Sequence, residues 1–143
     1  MLHTITTISD DLATLIKDDP VRPEISLFDR VNSNSRVYVL KDGDQTLAVT
    51  CVKFLETIPS AVDELVVLIG SATTAVFYTI WSYTAGSGQK LIAEAQKSIE
   101  SEFPEIQTYV TLSPKTEMAR RFHLKNGARE LRENADTINY IYK

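Results

Sequence analysis

The run Gly86-Ser87-Gly88 stands between a stretch of apolar residues and a segment with helical periodicity. Glycines at such a junction let successive backbone N–H groups converge on one point, and the helix N-terminus adds a dipole that favours an anion. A phosphate or pyrophosphate would suit it, with Lys90 adding a positive charge from the first helical turn. The plain alternative is a tight strand-to-helix turn that binds nothing, and a motif this short does not decide between the two. His123 is the second chemical group. It lies four residues after Ala119 on one helical face, beside Met118 and Phe122. Its ordinary pKa, about 6.5, suits proton transfer near neutrality, although a lone helical histidine can equally be a satisfied core residue. Thr111 and Ser113 end the strand expected before that helix, so either hydroxyl could face His123. Ser113 also reads as a simple helix N-cap, with Pro114 at the first helical position.

Other residues have blander readings. Lys115, Arg120, Arg121, Lys125, Arg129 and Arg132 form a solvated helix face and following strand, or a patch for phosphates or an acidic carrier protein. Phe77, Tyr78, Trp81 and Tyr83 belong to a central strand, and Cys51 reads as a small buried hydrophobe.

The elements that must position these groups follow from periodicity and turn chemistry. Ile8–Asp19 reads as a helix capped by Ser9, and residues from about Pro23 to Val31 as a second, with Asp19-Pro20 and Arg22-Pro23 breaking the chain between them. Arg36–Leu40 and Gln45–Phe54 are strands joined by an Asp-Gly hairpin signal. Ser60–Ile69 is ambiguous between helix and strand. Ala75–Thr84 is apolar or aromatic on both faces, as a doubly covered strand should be. A helix follows the glycine turn and stops near Phe103-Pro104. Ile106–Leu112 is a strand, a helix opens at Ser113-Pro114 and ends at Asn126-Gly127, and two strands, about Ala128–Arg132 and Thr137–Tyr142, close the chain. The class is mixed α/β of the α+β type, in one domain over residues 1–143.

Composition bounds the function. A length of 143 residues suits one core, and 43% hydrophobic with 24% charged residues is ordinary for a folded domain. The longest apolar stretch, around Leu65–Ile69, falls far short of a membrane span, and the acidic pair near the N-terminus does not fit a signal peptide. A cytoplasmic location is the expectation. A net charge of -4 argues against a general nucleic-acid binder, and one cysteine with two histidines argues against a zinc cluster.

Strand–Gly86-Ser87-Gly88–helix, a further strand, then the segment from Ala119 to Ala128 resembles the acyl-CoA-binding core of the GNAT superfamily. In that family a Gln/Arg-x-x-Gly-x-Gly/Ala loop cradles the CoA pyrophosphate. Gly86 and Gly88 match it, while Tyr83 stands at the first position in place of Gln or Arg. The position of the family's common Tyr, often a general acid, is His123. FHLKNGAR, Phe122–Arg129, is moreover similar to a segment of the malonyl-CoA decarboxylases, whose catalytic domain is GNAT-like. The likeness extends through Glu102–Pro114, Ala75–Ser82 and Leu55–Leu65, over roughly residues 36–143.

The resemblance implies a mixed, mostly antiparallel sheet flanked by helices. It implies His123 and Ser113 as the catalytic histidine and its partner serine, with Thr111 beside them. It further implies a CoA loop over Tyr83, Ala85, Gly86, Ser87, Gly88, Gln89 and Lys90, with CoA or acyl-CoA as substrate and no metal. Three departures accompany it: no segment matches those decarboxylases' helical domain, the long insert after their LSP motif is missing, and the loop at Ala85–Gly88 is shorter.

Three functions compete. One is decarboxylation of a malonyl thioester carried by CoA or a carrier protein. Another is acyl transfer to an amine, with Glu56 or Glu64 as the base. The last is a non-catalytic acyl-CoA-binding module. The apolar ending Tyr140-Ile141-Tyr142 suggests an edge strand and hence a homodimer.

Overall fold

β-Branched and aromatic residues in alternation build most of one eight-stranded sheet in this computed structural model, which describes residues 1–66 and 71–142. β1 (Leu2–Ile5) pairs antiparallel with β2 (Ser35–Asp42), and β2 with β3 (Gln45–Leu55). The β2–β3 hairpin turns where the Asp-Gly signal lies, with Gly43 at φ 61°, a value that a side chain would strain. β4 (Thr74–Ser82) pairs antiparallel with β3 and parallel with β5 (Thr108–Thr111). β8 (Thr137–Ile141) lies beyond β5 and pairs with β6 (Ser113–Pro114) and β7 (Arg129–Glu133) as well.

Two apolar layers cover the sheet. Leu91, Ile92, Ala95 and Ile99 recur along one side of α2 (Ser87–Glu102) and bury themselves against Leu40, Ala48, Val52 and Phe54. The opposite face, with Val37, Val49, Cys51, Val76 and Trp81, is covered by the 3-10 helix Asp11–Asp18 and by Ile25 and Leu27. α1 (Leu27–Arg30) follows, capped by Ser26, and α3 (Glu117–Lys125) stands on the side of α2. No helix among the described residues is long and apolar enough to cross a membrane.

Two features of β4 set up the site. Its register with β3 slips by one residue, so that Cys51 faces Thr79 while Val52 faces Phe77, and Tyr78 is extra. Its parallel ladder with β5 runs only from Thr74–Thr108 to Phe77–Thr111, closed by Leu112 N–H donating to the Phe77 carbonyl at 3.1 Å. Past that rung the two strands part.

Several expectations need correction. The first helix is a 3-10 helix capped by Asp10, whose carboxylate accepts from Leu12 N–H at 2.9 Å, so Ser9 is not the cap. The second shrinks to four residues. Val62–Val66 is a 3-10 helix, and the rest of the ambiguous segment, residues 67–69, lies outside the described residues. Ser113-Pro114 does not open α3: it stays extended and pairs with Ile138 and Thr137. A residue before proline resists the helical region, and Thr116 caps α3 instead, its hydroxyl accepting from Ala119 N–H. β8 is paired along both sides, so its apolar residues reflect burial rather than an open edge, and the argument for a dimer falls. The outer strand is β7, charged and exposed along its length.

Candidate active site

Where β4 and β5 part, a groove of about 370 Å³ opens. One wall is the edge of β4 from Phe77 to Ser82, which pairs with no strand on that side past Phe77 among the described residues. The other wall holds Leu112, Ser113 and Pro114, then Met118, Ala119, Phe122 and His123 of α3. Pro20 and Val21 close one end. None of these side chains is Asp, Glu, Lys or Arg.

His123 is 5% exposed. Its Nδ1 lies 2.7 Å from the Tyr142 hydroxyl, and its ring stacks on Tyr140 at 5.0 Å and meets the edge of Phe122 at 5.1 Å. Burial drives its pKa down to about 4, so the imidazole is neutral near pH 7. Burial pushes the Tyr142 phenol up, so that hydroxyl stays protonated. A positioning partner for the histidine is thus Tyr142, nineteen residues on and reached through β8. The sequence carries no spacing signal for it.

The hydroxyls of Ser113 and Thr111 meet each other rather than His123. Ser113 lines the groove, and its hydroxyl donates to Thr111 Oγ1 at 2.8 Å; no hydrogen bond between Ser113 and His123 occurs among the described residues. Thr111 is fully buried, does not line the groove, and accepts from Tyr140 N–H at 3.1 Å. Thr111 therefore fixes Ser113 and the start of Tyr140 rather than facing a substrate.

The glycine turn lies at the head of α2. Gly86 takes φ 79° as N-cap with no side-chain cap, and the first turn carries no acidic residue. Ser87 is buried, its hydroxyl shared between the Leu47 and Thr84 carbonyls at 3.0 and 2.8 Å, so it anchors the turn to β3. Gly88 is buried under Phe122: a Cβ there would meet ring carbons at 2.9 and 3.0 Å. Ala85, Gln89 and Lys90 are exposed, Lys90 lying 3.9 Å from Glu94. Tyr83 is turned away from the loop. Its hydroxyl donates to Asp18 at 2.7 Å and accepts from Trp81 Nε1 at 3.0 Å, on the face covered by the 3-10 helix.

A buried ion pair holds the closed end. Arg30 donates to Asp19 at 2.6 Å, with the two side chains 1% and 0% exposed, and Arg30 also reaches the Ile25 and Arg22 carbonyls. The other Asp19 oxygen accepts from Val21 N–H, Arg22 N–H and Thr79 Oγ1 at 2.7, 3.0 and 2.8 Å. Burial would raise the Asp19 pKa, but these donors outweigh it and hold the carboxyl below the usual range. Burial pushes the Cys51 thiol up to about 11 despite the nearby Arg30, so it is an inert apolar filler. Four of the six late basic residues are engaged in surface structure: Lys115 pairs with Glu133 at 3.0 Å, Arg121 and Arg120 with Glu117 at 3.2 and 3.9 Å, and Arg132 holds the Ile58 and Pro59 carbonyls.

The sequence matches no protein-family model and no curated protein. Solved structures do match. The malonyl-CoA decarboxylase of Agrobacterium vitis superposes with a TM-score of 0.83 at 22% identity, over 100% of this chain and 60% of that one. A GNAT-family chain from Desulfovibrio desulfuricans superposes with a TM-score of 0.66 at 12% identity, over 99% and 98%. This chain has the GNAT fold. A Bacillus subtilis acetyltransferase solved in complex with CoA gives 0.67 at 12% identity, over 98% and 95%. The expected mixed, mostly antiparallel sheet flanked by helices is therefore present, close in shape to the decarboxylase domain. The chain spans about three fifths of the length of that decarboxylase.

Proposed function

We propose that residues 1–143 form a single GNAT-like domain that binds an acyl-CoA and removes CO₂ from a malonyl thioester. The pyrophosphate sits on the uncapped N-terminus of α2 at Gly86–Lys90, and the pantetheine arm enters the groove between β4 and β5. A groove of about 370 Å³ lies at the small end of ligand pockets (about 300–1,000 Å³), which suits a slender arm rather than a nucleotide.

The observation that carries the reading is the histidine in a groove without charged side chains. Decarboxylation breaks the bond between the carboxylate carbon and the α-carbon. The electron pair moves onto the thioester as an enolate and CO₂ leaves. The unpaired edge of β4 offers backbone N–H groups to the enolate oxygen, as an oxyanion hole does. His123, oriented by Tyr142, delivers the proton to the α-carbon, and Ser113 borders the acyl group from the same wall.

Acyl transfer to an amine would have to use His123 as its base, since the groove lining holds no carboxylate, and burial makes that ring a weak one. Glu64 is spent as a cap: its carboxylate accepts from the Ser60 hydroxyl, Ser60 N–H and Ala61 N–H, which hold its pKa down. Incubation with malonyl-CoA, and separately with acetyl-CoA plus mixed amines, tests the reading by product mass. Acetyl-CoA formed from malonyl-CoA supports it. An acylated amine, or no product with either donor, refutes it.

A further inference from the structure

We infer that His123 is the group that recognises an acyl carboxylate, and that it does so by taking up a proton when the anionic ligand enters the groove. The inference rests on the proposed seating of an acyl thioester between β4 and β5.

An anion moved out of water into an apolar cleft requires a counter-charge, and among the residues lining this groove only His123 can become a cation. The groups facing its ring are all neutral: Tyr142 at Nδ1, Tyr140 stacked beneath, Phe122 at the edge. The opposite wall presents Tyr78 and Thr79, and Ser113 on the same wall as the histidine is likewise uncharged. The charged residues nearby do not line the groove, although the Arg22 Nε is buried without a hydrogen-bond partner among the described residues. Arg22 donates to the Leu112 carbonyl at 3.2 Å without itself lining the groove, and Asp19 is paired with Arg30.

Burial lowers the pKa of the free imidazole, with no neighbouring charge contributing. A carboxylate placed against the ring supplies the missing negative charge and raises that pKa, so the imidazole is neutral before binding and charged after it. The proton comes from solvent. Binding an uncharged acyl group offers no such gain, so selectivity for an acidic acyl group and the arming of a proton donor become one event. Nδ1 can hand a proton to the Tyr142 hydroxyl oxygen while Nε2 carries the second, so the imidazolium has a partner already in place.

The test uses two stable thioethers matched in size, S-(2-carboxyethyl)-CoA and S-(2-carbamoylethyl)-CoA, in which the acid and the amide occupy the place of the malonyl carboxylate. Calorimetry from pH 5 to 8, in buffers of different ionisation heat, reads affinity and protons bound together. The acid should bind with net proton uptake and tighten as pH falls, toward about tenfold per pH unit between the pKa of the bound imidazole and that of the free one. The amide should bind with no uptake and a flat profile. In His123→Gln the amide should bind as before, while the acid loses both uptake and pH dependence. A preference for the acid that is independent of pH, or one retained by His123→Gln, overturns the inference and assigns recognition to a fixed cation. Failure of both thioethers to bind would instead refute the seating of CoA itself and with it the proposed function.

Discussion

The Tyr142 hydroxyl lies 2.7 Å from Nδ1 of His123, tying the last turn of α3 to the residue that follows β8. Both groups are largely shielded from water, so neither finds an equal partner if the other is removed.

Tyr142→Phe should therefore lower turnover of malonyl-CoA while leaving CoA affinity nearly unchanged. The lost bond and the unpaired ring nitrogen should cost about 1–3 kcal/mol of stability. Thermal denaturation beside a split of kcat from KM checks both parts. Full activity in a folded Tyr142→Phe protein would remove the tyrosine from any positioning role.

His123→Asn keeps a polar group but removes the titrating ring. Turnover should fall by about 10²–10⁴, the usual contribution of a positioned acid, with CoA binding little altered. Ser113→Ala should cost less, and its loss should not add fully to that of His123→Asn if both contact the same acyl group.

Folding stability should carry the mark of the same histidine. Its folded pKa, about 4, lies below the ordinary 6.5, so burial of the neutral ring contributes fully above pH 6.5. That contribution drains away as pH falls from 6.5 toward 4, by up to about 3 kcal/mol, because the unfolded chain binds the proton first. Urea denaturation of the parent and of His123→Gln should converge in stability across that window. Parallel profiles would contradict it.

The two glycines of the turn should fail for different reasons. Gly86 has open space around it but a φ of 79°, so Gly86→Ala strains the backbone by about 1–2 kcal/mol. Gly88→Ala instead drives a methyl into the Phe122 ring at 2.9 Å. Both should weaken CoA binding, and Phe122→Leu should rescue only the second. Isothermal titration of the four proteins decides it.

Arg30→Met leaves Asp19 buried without its cation, and breaking such a pair costs about 3–5 kcal/mol. The Asp19 carboxyl is held below its ordinary pKa, so its contribution is present above pH 4 and lost as pH falls further. Replacing both partners, as in Asp19→Leu with Arg30→Met, should recover much of the loss in a chevron or melting experiment.

The order of elements was readable wherever one local pattern dominated. Alternation marked β2 and β3, Asp42-Gly43 marked their turn, and Leu91, Ala95 and Ile99 marked the buried side of α2. The glycine turn and His123 were also visible, because φ freedom and a titrating ring are properties of single residues. Contacts made across the sheet were not. Nothing in the spacing of residues 123 and 142 says that their side chains meet, since β7 and the fold of β8 bring them together. Ser113-Pro114 misled for a related reason: locally it is a good helix start, and only the pairing with Ile138 and Thr137 keeps it extended. Tyr83 likewise answers to Asp18, a residue sixty-five positions away.

The extra residue in β4 acts on the strand as a single inserted letter acts on a reading frame. Val76 and the extra residue Tyr78 point into one core layer; after them the same layer receives Trp81, and Thr79 reaches the buried Asp19. Phe77 and Thr79 already stand on the adjacent β3 residues Val52 and Cys51, so Tyr78 is the one side chain for which a regular ladder has no place. The bulge thus lets two consecutive residues serve one face, Tyr78 filling the core layer and Thr79 holding Asp19.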